Sequence, residues 1–222
     1  MSIENLLYDV SEALRIPVLI LALIALVVVI VETGSLLVEL RRRRYRSLAR
    51  LESAVDRCRA EVAAGQTTEA LRTLRPFAWN MLMEEAFAGI VEQIGRPDAE
   101  ARIAKRLAEY DYRSLRRLER TRILVRMGPA LGLMGTLIPL SPALGGLADG
   151  DVTTLTDNLR VAFSVTVAGL LVGAIAFGIS LVRDRLYAQD FSDVEYVAAC
   201  LTAPYPDGGL PTEPAASWVA AP

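Results

Sequence analysis

Three long runs of apolar positions stand out along the chain. The first extends from Ile16 to Val31 without a charge and continues through Glu32, Thr33, Gly34 and Ser35 to Leu40. The second covers 123–147 and the third 159–182, both rich in glycine and alanine. A helix needs roughly 20 apolar residues, at about 1.5 Å rise each, to cross a bilayer. Each run meets that length. The first is read as a retained span and not a cleaved leader, because the basic residues follow the apolar run and do not precede it.

Between the first two runs the pattern changes to an alternation of apolar and charged positions. Helices are predicted over 46–64 and 66–75, broken at Gly65, with Thr67 or Thr68 as a cap for the second. A further helix is predicted over 79–94, ended by Gly95 and Pro97. From Asp98 no breaker occurs, and Ile103, Leu107, Tyr110, Ser114, Leu115, Leu118 and Ile123 form a helical stripe. This predicts one long helix continuous with the second span. The fold class is therefore all-α integral membrane: three transmembrane helices, with a helical cytoplasmic insert between the first and second.

Charge orients the spans. Residues 41–126 carry 20 of the 24 basic residues and 12 of the 26 acidic ones. Arg41–Arg44 and Arg46 follow the first run, arginines crowd 113–122 before the second, and Arg183 and Arg185 follow the third. Glu4, Asp9 and Glu12 precede the first run, and Asp149, Asp151 and Asp157 lie in the loop between the last two. Basic loops stay on the cytoplasmic side. The reading is an external N-terminus (1–15), transmembrane helix 1 (16–40), a cytoplasmic insert (41–122), transmembrane helix 2 (123–147), an external loop (148–158), transmembrane helix 3 (159–182), a cytoplasmic helical extension (183–202) and a disordered tail (203–222) containing Trp218. This places the protein in the inner (plasma) membrane with its C-terminus in the cytoplasm. The arginine run beside a span is topology signal and anionic-lipid contact, not a nucleic-acid patch.

Composition narrows the chemistry. Hydrophobic residues make up 53% of 222 and mean hydropathy is +0.35, above an ordinary soluble domain. There is no histidine, and Cys58 and Cys200 are read as free thiols. No metal spacing, phosphate loop or nucleophile motif occurs. The chain is not expected to be an enzyme, and no metal or cofactor is implied.

Two small-residue faces remain. On the third span Ala162, Thr166, Gly169, Gly173, Ala176 and Ser180 recur at helical spacing; on the second, Gly128, Gly132, Gly135, Pro139 and Ala143 do, with Thr136 beside them. Small faces let helices approach closely in lipid. A threonine in such a helix commonly bonds the carbonyl one turn back. The segments GPALGLMGT at 128–136 and AFSVTVAGL at 162–170 resemble the second- and third-span motifs of the MotA/TolQ/ExbB proton-channel family. The order of spans and the basic helical insert are similar to that family, with three spans like its TolQ/ExbB branch.

The resemblance implies a pentameric homo-oligomer whose second and third helices line a pore. It implies a single-span partner resembling ExbD, TolR or MotB, whose intramembrane aspartate carries the proton. Thr136 and Thr166 match the family's pore-lining threonines, with Gly132, Gly135, Ala162, Gly169 and Gly173 as the helix-packing and pore-lining small face. The sequence departs from the family at Val161, where relatives have an acid, at Ile175, where they have proline, and at Pro139 and Pro142, which interrupt the second span. Glu32, the one acid well inside a span, either touches the ion path or pairs with a basic side chain at the cytoplasmic end. The implied function is a ring subunit of a proton-driven motor; the alternative is a non-conducting membrane scaffold that gathers other proteins on its helical insert.

Overall fold

A computed structural model describes residues 3–44 and 46–203. Among them there is no strand. The helices are α1 (Ile3–Ala13), α2 (Arg15–Arg43), α3 (Leu48–Ala63), α4 (Thr67–Leu74), α5 (Met81–Val91), α6 (Ala99–Ala148) and α7 (Val152–Thr202), with a single 3₁₀ turn at Arg75–Phe77. Three are long and apolar enough to cross a membrane: α2 with the end of α1, α6, and α7. The tail expectation, including Trp218, falls on residues outside those described.

The chain forms two compact units. One comprises the residues up to Leu40 together with Arg116–Arg185; the other comprises Arg41–Leu115 together with the residues from Leu186 onward. In the first unit α2 buries Val18, Ala22, Ala25, Val29 and Leu36 along one side, while Ile20, Leu23, Val27, Ile30 and Leu37 stay exposed on the other. Such a helix, apolar all round, suits a lipid surface and not water.

The second unit is a small helical domain. Leu51, Val55 and Cys58 of α3, Leu74 of α4, Met83, Phe87 and Ile90 of α5, and Ile103 and Tyr110 of α6 share a core with Val194, Val197 and Leu201 of α7. Gly65 closes α3 in the left-handed conformation (φ 75°) that favours glycine, with the Gln66 N–H bonded to the Glu61 carbonyl at 2.8 Å. Neither Thr67 nor Thr68 caps α4: Gln66 holds the cap position and Thr67 is already helical. α5 starts on Asn80, whose side chain accepts from the Met83 N–H at 3.0 Å.

This unit also contains two ion pairs that join the end of α2 to α7. Arg43 meets Asp190 through both guanidinium nitrogens at 2.7 Å, and Arg46 meets Asp193 through two more. Asp190 is almost wholly buried. Burial pushes its carboxyl up to about 6, against the pull of Arg43.

The stripe expected on α6 is corrected in two places. Ile103, Tyr110, Ser114 and Leu118 are buried, but Leu115 and Ile123 face outward and Thr121 takes the next inward position. The helical period, carried on from Leu118, reaches position 121 or 122 and passes over 123. Pro139 and Pro142 do not interrupt the span: α6 continues through Pro129, Pro139 and Pro142 to Ala148. In lipid a broken helix would leave several backbone groups without partners, whereas proline removes only its own donor.

Candidate functional site

The turn between α6 and α7 sets the site's geometry. Gly150 adopts φ 79°, the Asp151 N–H bonds the Gly146 carbonyl at 2.8 Å, and the Gly150 N–H bonds the Leu147 carbonyl at 3.1 Å. This left-handed closure reverses the chain within three residues. Asp151 then caps α7 by accepting from the N–H groups of Thr153 and Thr154. A hydrogen bond from the Thr154 hydroxyl holds its carboxyl below the ordinary value.

The two spans that follow lie backbone against backbone. A Cβ on Gly128 would stand 2.7 Å from the Gly169 carbonyl oxygen, and one on Gly169 would stand 2.5 Å from the Gly128 carbonyl oxygen. One on Gly173 would meet Pro129 at 2.8 Å, one on Gly132 would meet the Thr166 backbone at 3.3 Å, and one on Gly135 would collide with Val165. Ala162 is buried on the same line. Gly132, Gly135, Ala162, Gly169 and Gly173 thus converge in a single seam between helices of one chain. Each face is filled by the other helix, so these residues are not free to line a pore. A channel wall built from α6 and α7 must use the side chains at the seam's edge.

Thr136 and Thr166 occupy that edge, and both are half-buried. The Thr166 hydroxyl is within donating distance of its own helix at the Ala162 carbonyl, 3.0 Å, and of α6 at the Gly132 carbonyl, 3.1 Å. The Thr136 hydroxyl donates to the Leu133 carbonyl at 2.8 Å. Both protons are therefore committed to backbone oxygens, while the oxygen lone pairs remain available. In this arrangement the pair can accept hydrogen bonds from water or a protonated carboxyl. To donate, either hydroxyl must leave its carbonyl.

The sequence contains no acid between Asp111 and Asp149 other than Glu119, and none between Asp157 and Asp184. The middle of neither span can hold a proton on a carboxylate of its own. Among the described residues no group of three or more Cys, Asp and Glu side chains is placed to bind a metal.

Glu32 is not near the threonines in register. Its carboxylate is paired with Arg183 of α7 at 2.5 Å. Arg183 also donates to the Thr121 hydroxyl of α6 and the Ser35 hydroxyl of α2, both at 3.2 Å, and its Nε stands 3.6 Å from Glu39. Its side chain is only 5% exposed. Of the two roles open to Glu32, the structure places it in an ion pair with a basic side chain. Sequence reasoning did not name Arg183 as its partner, or Thr121 as a further partner of Arg183. The available signal was electrostatic: a carboxylate inside an apolar run needs a counter-charge, and Arg183 lies just beyond the third run. At the opposite end of this unit, Arg15 donates to the buried Asn158 at 2.9 Å.

No individual curated protein matches the chain. Residues 72–190 match the family described as the MotA/TolQ/ExbB proton channel family. The matched segment takes in α5, α6 and α7 as far as Asp190, with both threonines. With three membrane-length helices and a match over more than half its length, the chain is a multi-pass membrane protein of the MotA/TolQ/ExbB proton channel family.

Proposed function

We propose that this chain is a ring-forming subunit of a proton-driven motor, closest in layout to the TolQ/ExbB branch. Copies of the α6–α7 hairpin surround the single-span helix of an ExbD/TolR/MotB-like partner. That partner supplies the aspartate that binds the proton. The N-terminus and the Asp149–Asp151 turn face outward, and the Arg41–Leu115 helices face the cytoplasm of a cell whose inner membrane holds the complex. The chain does no covalent chemistry of its own.

The observation that carries this reading is the polarity of the seam's edge. Two hydroxyls with free lone pairs stand in a stretch that has no carboxylate of its own. A proton crossing here therefore needs a carboxyl from elsewhere, and Thr136 and Thr166 can hold that carboxyl in its neutral form by accepting its O–H. One charge falling through 100 mV releases about 2.3 kcal/mol, enough to bias the relative motion of ring and partner. Glu32 does not compete for the role, since it is engaged in an ion pair with the buried Arg183.

The test is proton flux into proteoliposomes containing the chain and its partner, read with an internal pH dye. The full pair should conduct. Thr166→Val, which keeps shape but removes the hydroxyl, should lower flux by about three- to ten-fold, the scale of one lost hydrogen bond between neutral groups. Undiminished flux in Thr166→Val, or in a partner lacking its intramembrane aspartate, would contradict the scheme. No flux with any partner would favour the scaffold reading.

A further inference from the structure

A cavity between α4 and α5 lies wholly within the Arg41–Leu115 helices and takes no part in the membrane seam. Its volume is about 280 Å³. Leu71, Phe87 and Ala88 form its apolar inner wall, and Arg72, Arg75 and Glu84 stand at its mouth with side chains more than half exposed. Drug-sized ligands fill roughly 300–1,000 Å³, so this volume suits one large side chain better than a free cofactor. Arg72 pairs with Glu69 and Arg75 with Glu84 at the surface, where such pairs exchange partners at little cost.

The chain leaves the described helices close by. α7 ends at Thr202, and the Ala203 carbonyl accepts from Arg59 of α3 at 2.6 Å. From Arg59 the backbone reaches Thr67, on the α4 side of the cavity, after four more helical residues and a short turn. That path is about 20 Å at most. In the sequence 19 residues follow Ala203. They carry Asp207 and Glu213 with no lysine or arginine, and they hold one tryptophan, Trp218. The chain from Ala203 to Trp218 can span about 50 Å, more than twice the path required.

We infer that Trp218 docks in the α4–α5 cavity of its own chain. An indole brings a large apolar area to Leu71, Phe87 and Ala88. Its N–H donates and does not accept, and the Glu84 carboxylate at the mouth is an acceptor for it. Tyr205 follows Ala203 by two residues, about 7 Å of chain, and so stays beside the Arg59 contact. Leu210 brings no donor for Glu84. The two acids of the segment, unopposed by any base, complement Arg72 and Arg75. A tether within reach sets an effective concentration near the millimolar range, so a contact too weak to hold a free peptide is occupied here. This contact is independent of proton conduction and survives the failure of that reading.

Disulfide trapping in the full chain tests it. With Cys58→Ser and Cys200→Ser in place, Thr68→Cys at the cavity's edge and Val219→Cys beside Trp218 should cross-link within one chain on mild oxidation. The rate should exceed that of Asp56→Cys with Val219→Cys by about ten-fold, although Asp56 is exposed on α3 only one turn from Arg59. Trp218→Ala should remove the excess, and Arg72→Gln with Arg75→Gln should lower it about three-fold. Thr68, Arg72 and Arg75 are exposed and lie outside the core, so the helices should fold in every variant. The assignment is overturned if the 68–219 and 56–219 rates are equal, or if either Trp218→Ala or the arginine pair leaves the excess unchanged. A product that joins two chains would also overturn it, giving the cavity to a neighbouring copy's segment.

Discussion

Thr166 sits where two demands on one side chain meet. Its hydroxyl lies within donating distance of the α6 backbone at Gly132 and of its own helix at Ala162, and its side chain is half-buried at the seam's edge. Gly169, three residues on, makes this possible together with Gly132 and Gly128 opposite, because only a backbone without Cβ lets the helices come so close. Gly169→Ala should therefore force the helices apart: the added carbon would stand 2.5 Å from the Gly128 carbonyl oxygen and 2.8 Å from Gly132. The expected cost is about 1–3 kcal/mol, seen as a lower melting temperature, and flux should fall with it. Alanine at Gly178, where nothing lies within 4 Å, should be silent in both measurements.

Cys58 offers a second residue-level check. It is fully buried and its thiol is pushed up to about 12 by burial, with Glu61 adding to the shift. It should resist maleimide at pH 7.5 until the Arg41–Leu115 helices unfold, because the thiolate is the reactive form. Fast labelling of Cys58 in the native protein would show that this unit is open.

At the scale of elements, α2 is the most instructive. Its hydropathy made the span legible, since sixteen residues from Ile16 to Val31 carry no charge. Its sidedness was not legible, because nearly every position is apolar and no moment distinguishes the buried face from the lipid face. Only contacts with Arg183, 151 residues from Glu32, and with Asp190, 147 residues from Arg43, decide it. Such long-range pairs leave no local pattern.

The small faces of α6 and α7 show the complementary case. Their spacing was readable from the glycines, but whether each face met a copy, a partner or its own neighbour was not. The seam lies within one chain because the tight Gly150 turn brings the two faces together.

The clamp between α2 and α7 gives a test at this scale. Arg43→Ala leaves Asp190 buried without its counter-charge, and Asp190→Ala does the reverse to Arg43. Removing one partner of a buried ion pair costs about 3–5 kcal/mol. Thermal unfolding of each single variant should show that loss, and the double variant should recover part of it. Additive losses would mean that the two groups are not coupled.

For the whole molecule, the two units carry different kinds of information. The membrane helices hold the seam and, at its edge, the two threonines of the proposed proton path. The Arg41–Leu115 helices and the α7 extension share an apolar core built around Leu74, Met83, Phe87, Ile90 and Val194. The match to the MotA/TolQ/ExbB proton channel family covers α6 and most of α7 and reaches into the second unit over residues 72–115. The central claim is that Thr136 and Thr166 face the partner's acid.

Single-cysteine cross-linking tests that claim most directly. In a chain with Cys58→Ser and Cys200→Ser, a cysteine placed at 136 or 166 should form a disulfide, on mild oxidation in membranes, with a cysteine beside the partner's intramembrane aspartate. A cysteine at exposed Leu171, about 140° around α7 from Thr166, should not. Cross-linking from 171 with none from 136 or 166 would contradict the account.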